Sequence, residues 1–299
     1  LDETPIYFDV TQENSIEESG VTIIKVNKKN FAQKGTIAVE KTGEVFFGVS
    51  VSGGIDESGN ELPIIYQPQY EKRGLPGAVY EIVAAEDIIT PDGTVRNHKG
   101  DVVDTIITDE NGIAMSCELY LGEYEVREVT APNGMVLNPE SRFVELVYAG
   151  QNVAVTETAT SFENERQKVE ISLVKSIEQN ERFDIGTNGE MKNITFGLFA
   201  AEEIVSASGT SIPANGLVEI ISLNEDGTAK VKTDLPFGSY YVQELATDSH
   251  YMLSDTKYPV IFAYAGQDTA VVKIAANDGN AVENKLIYGS VSGKKVDEN

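Results

Sequence analysis

The chain has one cysteine, Cys117, no tryptophan, four methionines and two histidines, His98 and His250. A lone thiol excludes an intrachain disulfide framework and any multi-cysteine metal centre. The two histidines stand in polar loop sequence at unrelated positions, where surface residues are expected, so imidazole acid–base chemistry has little support. Basic residues are also scarce: 23 Lys and Arg face 48 Asp and Glu, a net charge of −25 at pH 7. That balance argues against nucleic acid, whose phosphates need a positive surface, and against anionic lipid. No apolar run approaches the roughly 20 residues that span a bilayer, so no membrane insertion is expected in this segment. Residue 1 starts neither a signal peptide nor a Met-initiated chain, and both ends are expected to continue into a longer protein.

What is present is a folded protein. The 299 residues suffice for two domains of ordinary size, and 41% hydrophobic residues are too many for a disordered acidic tail. Runs such as GTIAVEK (35–41), VEISLVK (169–175), KYPVIFAYA (257–265) and TAVVKIA (269–275) are rich in Val, Ile, Tyr and Phe. They are short and punctuated by Asp-Gly at 92–93, Asn-Gly at 111–112 and Asp-Gly at 226–227, as strands are. No stretch shows convincing helical periodicity longer than about three turns, and AAEDI and AAEEI are candidates for single helical turns. Many short strands at this spacing predict an all-β chain of sandwiches or Greek-key barrels.

An internal repeat organises them. AVYEIVAAEDI (78–88) matches ITFGLFAAEEI (194–204), LGEYEVREV (121–129) matches FGSYYVQEL (237–245), and YAGQ recurs at 148–151 and 264–267, all at an offset of 116. Two complete copies are read at 31–166 and 167–286. Residues 1–30 resemble the last strands of a preceding copy, and 287–299 the first strand of a following one. The first copy carries extra sequence near 45–73, whose alternating apolar residues around a Gly/Asp/Asn-rich tip predict a protruding hairpin. Its aromatics Phe46, Phe47, Tyr66 and Tyr70 are expected to be exposed.

Alternate strand residues share a face, and parity then aims polar groups inward. Ile37 and Val39 share a face with Lys41; Val169, Ile171 and Leu173 with Lys175. Tyr124 and Val126 share one with Glu128; Tyr240 and Val242 with Glu244. Phe162 precedes Asn164 by two positions and Val282 precedes Asn284 by two. Each copy thus directs one Lys, one Glu and one Asn at its core. Unpaired buried charge costs several kcal/mol, which leaves three readings. The residues are peripheral and the lysines snorkel to water. A buried Lys–Glu ion pair forms, with no task for the Asn. Or the Lys amine attacks the Asn carboxamide, ammonia leaves and an amide cross-link remains. The third uses all three residue types. Burial lowers a Lys pKa and raises a Glu pKa, giving a neutral nucleophile beside an acid–base catalyst. Fixed strands supply proximity that can replace roughly 7–11 kcal/mol of barrier. The reaction runs once per domain, so it is maturation rather than enzymatic turnover.

YEVREVTAPNGMVL (124–137) and YYVQELATDSHYML (240–253), with a Lys near the start and an Asn near the end of each copy, resemble the collagen-adhesin B-type, or SpaA-like prealbumin-like, repeats of Gram-positive surface adhesins and pilins. The resemblance covers essentially the whole chain. Copy two departs from it with ATDSHYML where Ala-Pro-x-Gly is usual, but keeps Gly238, Tyr240 and Glu244. The resemblance implies tandem Ig-like/prealbumin-like β-sandwiches with Greek-key connections. It also implies Lys–Asn isopeptide bonds, Lys41–Asn164 with Glu128 as proton shuttle and Lys175–Asn284 with Glu244. Lys295 is expected to be the unreacted Lys of a following copy, and Asn27 or Asn30 the final Asn of the preceding one.

The bonded residues lie 123 positions apart in copy one and 109 in copy two. Tension would cross each bond and bypass the intervening chain. Closing such loops adds about 4–5 kcal/mol by the chain-entropy argument used for disulfides. Eleven residues from Asn164 to Lys175 leave no room for a flexible linker, so a semi-rigid stalk is expected, its partners being neighbouring repeats of the same polypeptide. DENG (109–112) and NEDG (224–227) lack the twelve-residue calcium-loop pattern and read as hairpin turns; no metal or cofactor is expected. Cys117 reads as a strand residue. Tyr258-Pro259 is followed by Val260, not Lys, and does not support pilin polymerisation. Two functions follow: a stalk segment of a cell-wall-attached, extracellular adhesin or pilin, or a module that binds a host protein or glycan through residues 45–73.

Overall fold

A computed structural model describes residues 4–26, 30–55 and 58–295. They form an all-β chain whose only helical pieces are 3-10 turns at Glu181–Phe183, Glu190–Asn193 and Ala276–Gly279 among the described residues. The chain divides into two compact units. One comprises Leu1–Lys41, Leu75–Thr130 and Asn138–Phe162; the other comprises Thr42–Gly74, Ala131–Leu137 and Glu163–Asn299.

In the first unit an antiparallel sheet runs in the order Ser141–Leu146, Gly122–Thr130, Val79–Ala84, Val102–Ile107. The opening half of the strand Lys34–Ile55 pairs with Ile113–Met115, Leu119–Tyr120 and Val155–Asn164. Period-two alternation buries Ile37, Val39, Tyr80, Ile82, Tyr124, Val126 and Phe162 as one core, with the Tyr80 and Phe162 rings 4.9 Å apart.

The second unit repeats the plan. Leu217–Ser222, Thr195–Ala200, Gly238–Ala246 and Tyr258–Phe262 are hydrogen-bonded in that order. Lys168–Ile177 pairs antiparallel with Thr228–Lys230 and parallel with Val271–Ala275 and Val282–Asn284. Equivalent tyrosines close equivalent corners: Tyr124 donates to the Tyr120 carbonyl at 2.6 Å and Tyr240 to that of Pro236 at 2.8 Å. Gly122 and Gly238 are needed for close approach, since a Cβ at either would lie 2.6 Å from Ile88 or Ile204.

The insertion is a hairpin, Lys34–Ile55 paired with Glu61–Gly74, but it does not protrude with its aromatics exposed. Phe46, Val49 and Tyr66 pack against the core of the second unit, because an isolated two-stranded ribbon has nowhere else to bury an aromatic face. The AAEDI and AAEEI segments are bends rather than helical turns. Their amides turn to neighbouring strands: Ala85 donates to Glu123 and Ala201 to Ser239. Cys117 lies between Ile113–Met115 and Leu119–Tyr120 rather than in a strand, and is exposed; its amide donates to Asp104 at 2.7 Å, outside any ladder.

Candidate cross-linking sites

All six residues selected by strand parity are buried: Lys41 0%, Glu128 6%, Asn164 2%, Lys175 2%, Glu244 4% and Asn284 2% exposed. None snorkels to the surface. The alternation responsible is visible in each strand: in Lys34–Ile55 it buries Ile37, Val39 and Lys41, and in Gly122–Thr130 it buries Tyr124, Val126 and Glu128.

In the first repeat Lys41 Nζ lies 3.0 Å from Glu128 Oε1, both side chains fully out of water. Tyr80 and Phe162 wall the ammonium, each ring centroid 5.8 Å from Nζ. The second Glu128 oxygen accepts the Asn138 amide at 3.0 Å. Burial, reinforced by the Glu128 charge, pushes the Tyr80 hydroxyl far up, so it stays neutral. Asn164 ends the strand Val155–Asn164, two residues beyond buried Phe162.

The second repeat reproduces this. Lys175 Nζ is 3.4 Å from Glu244 Oε1, close enough for charge attraction although not aligned as a hydrogen bond. Its wall is Phe196, at 5.9 Å, the counterpart of Tyr80. Glu244 Oε2 accepts the Ser254 amide at 3.0 Å, matching Asn138 in the first repeat. Asn284 Nδ2 donates to Glu244 Oε1 at 2.8 Å and to Thr247 Oγ1 at 2.9 Å. One carboxylate oxygen therefore touches both amine and carboxamide, while Asn284 Oδ1 is buried without a partner. Burial holds the Lys175 ammonium below the usual lysine range, and the Glu244 charge opposes that fall.

Several contributors lie outside the strand-parity argument. The turns DENG and NEDG hold the lysine backbones: the Lys41 amide donates to Gly112 at 2.7 Å and the Lys175 amide to Gly227 at 2.8 Å. Gly227, at φ +80°, has no room for a side chain, because a Cβ would sit 2.3 Å from the Lys175 carbonyl. The carboxylates of those turns serve the turns themselves, Asp109 accepting from Asn111 and Ile113, Asp226 from Thr228. Gln33 and Gln167, each eight residues before the Lys, cap the YAGQ loops through Ala149 and Ala265. A search for Gln at matching distances from the two lysines would have found that pair; Thr247 has no counterpart, its equivalent being Ala131. His98 and His250 are at the surface, each beside an aspartate. Lys295 and Asn30 are exposed and outside strands. Asn27 lies outside the described residues.

The chain is similar to several solved structures. The TIE protein of Bacillus anthracis is 18% identical, with 91% of this chain and 40% of that one aligned at a TM-score of 0.49. This chain therefore spans less than half the length of that protein. The minor pilin GBS52 of Streptococcus agalactiae is 14% identical over 87% of this chain and 100% of its own, with a TM-score of 0.29. The shaft pilin SpaA of Lactobacillus rhamnosus GG is 11% identical over 87% and 100%, with a TM-score of 0.28. No curated protein matches in sequence. The model of the SpaA prealbumin-like fold domain matches twice, at residues 64–161 and 178–280, which together exceed half of the chain. The chain belongs to the SpaA family of prealbumin-like fold domains, present in two tandem copies.

Proposed function

We propose that this segment is a structural stalk element of a Gram-positive surface adhesin or pilin, hardened by self-formed Lys–Asn isopeptide bonds. The observation that carries this reading is the recurrence of a buried Lys, Glu and Asn at equivalent strand positions in both repeats. In the second repeat one Glu244 oxygen contacts both prospective partners. Proton exchange between Lys175 and Glu244 leaves a neutral amine and a carboxylic acid in a dry site. The amine lone pair attacks Asn284 Cγ. Glu244 takes the proton released from Nζ and delivers a proton to Nδ2, the Cγ–Nδ2 bond breaks, and ammonia departs. An amide and one ammonia replace an amine and a carboxamide, so atoms and charge balance. Lys41, Glu128 and Asn164 take the same roles in the first repeat.

The mechanical consequence rests on the parallel pairing of Lys168–Ile177 with Val282–Asn284, in which Lys175 stands opposite Val282. Tension entering the first strand and leaving the last loads this pair in shear. A bond between Lys175 and Asn284 would carry that load and leave the sheet between them unloaded. Extracellular, cell-wall-attached placement and contact with neighbouring repeats follow from this reading. Intact mass under denaturing conditions tests it: two bonds make the chain lighter than its sequence by two ammonias, and a full sequence mass rejects the covalent chemistry.

The second reading, a host protein or glycan ligand at residues 45–73, retains one observation in its favour. The outer part of the hairpin exposes Val51, Ile55, Leu62 and Ile64. Matrix-protein or glycan-array binding that disappears on removal of the hairpin tip would favour it; equal binding without the tip would reject it.

A further inference from the structure

We propose that the 42–74 hairpin is a strand donor that completes the second repeat, so that this repeat depends for its stability on residues lying within the first. The repeat symmetry supplies the comparison. The ladders set the equivalence: Val102 stands opposite Val83 and Leu217 opposite Phe199, and Val83 and Phe199 are 116 residues apart. Val102, on the outermost strand of its sheet, is 49% exposed, whereas Leu217 is 9% exposed. The difference lies in the hairpin, which covers the edge that the first repeat leaves open.

The cover is both backbone and side chain. Ile65 pairs in parallel with Leu217, and Gln67 Nε2 donates to the Val218 carbonyl at 3.2 Å. On the other hairpin strand, the Ala207 and Ser208 amides donate to Phe46 at 3.1 Å and Phe47 at 2.9 Å. The Val49 amide donates to Thr210 Oγ1 at 3.0 Å. Tyr66 reaches Gly216 so closely that a Cβ there would lie 3.1 Å from its ring. These contacts satisfy an exposed strand edge, which otherwise invites pairing with other chains.

Arg166 pins the arrangement. It is 8% exposed, and its guanidinium stacks 3.7 Å from the centroid of the Tyr70 ring. Both terminal nitrogens bond to Asp234, Nη1 at 2.8 Å, and Nε lies 3.4 Å from Glu44. The Tyr70 hydroxyl donates to the Asp234 carbonyl at 3.3 Å. One planar cation thus joins Glu44 and Tyr70 of the hairpin to Asp234 of the second repeat, a task a point-charge lysine performs poorly. The inference is independent of the isopeptide reading, because none of these residues belongs to either Lys–Glu–Asn set.

The test is peptide-resolved hydrogen–deuterium exchange on the full chain, comparing the natural sequence with Arg166→Gln and, separately, Tyr66→Ser. Protection in Thr195–Ala200 and Leu217–Ser222 should fall about tenfold or more in each variant, the loss expected for a charge-assisted contact at Arg166 and for the packed aromatic ring at Tyr66. Val79–Ala84 of the first repeat should keep its protection. Loss of hairpin protection with 195–222 unchanged would overturn the proposal, as would no change anywhere. Equal loss in both repeats would overturn it too, since it would mean general unfolding. Intact mass of the same samples separates the two ideas: the ammonia deficit reports the bonds alone, and the exchange pattern reports the hairpin.

Discussion

Asn284→Ala removes the electrophile of the second repeat and leaves the Lys175–Glu244 pair in place. The bond it prevents would close a loop between positions 109 apart. A loop of that size constrains the unfolded chain by about 4.7 kcal/mol on the chain-entropy argument. The Asn284 hydrogen bonds to Glu244 and Thr247 are donated by Nδ2, the nitrogen that leaves as ammonia, so they add nothing to the cross-linked state. Closure alone, at about 4 °C per kcal/mol, should lower the melting transition of this repeat by roughly 20 °C on substitution. Scanning calorimetry reads the shift, and intact mass reads the chemistry on the same sample. The natural chain should lack two ammonias and the variant one. A natural chain at full sequence mass would refute the reasoning at its root. A variant that regains one ammonia but melts within about 5 °C of the natural protein would refute the closure argument.

Glu128→Gln and Glu244→Gln should each restore one ammonia to the mass, in the first and second repeat respectively, because each removes the proton shuttle while keeping the side-chain shape. Gly227→Ala should slow cross-linking of the second repeat in time-resolved intact mass, since its Cβ displaces the Lys175 carbonyl. Gly93→Ala, also at φ +80° but with open space around it, should leave that rate unchanged. In Gly227→Ala the rate should rise with pH through the lowered pKa of Lys175 and level off above it; a flat profile would exclude the neutral amine as nucleophile. Stability follows the same sign. Native Lys175 holds its proton less tightly than the unfolded chain, so the unfolded state binds more protons between the two pKa values. An uncross-linked second repeat, as in Asn284→Ala, should therefore gain stability as pH rises through that window and lose it on acidification, in urea titrations at fixed pH values.

Much of this was legible from residue order alone, for a physical reason. A strand has a period of two, so Ile37, Val39 and Lys41 share a face whatever the rest of the chain does, and the face that carries Ile37 and Val39 must be buried. The repeat then certified each position twice, Glu128 with Glu244 at the offset of 116 and Lys41 with Lys175 across the insertion. Local rules reach no further than one strand and its turn. They placed the DENG and NEDG turns but not the use of Gly112 and Gly227 as acceptors for the two lysine amides. They offered Phe46, Tyr66 and Tyr70 as exposed because alternation within a hairpin tells which residues share a face and not what lies against it. Whether that face meets water or the core of the second unit depends on contacts such as Ile65 with Leu217, far apart in sequence. The same holds for Arg166, whose partners Glu44, Tyr70 and Asp234 converge only in the folded unit. Sequence by itself determined the repeat, the strand faces and the six polar residues turned inward. Tertiary structure alone decided which oxygen meets which nitrogen, and what the hairpin covers.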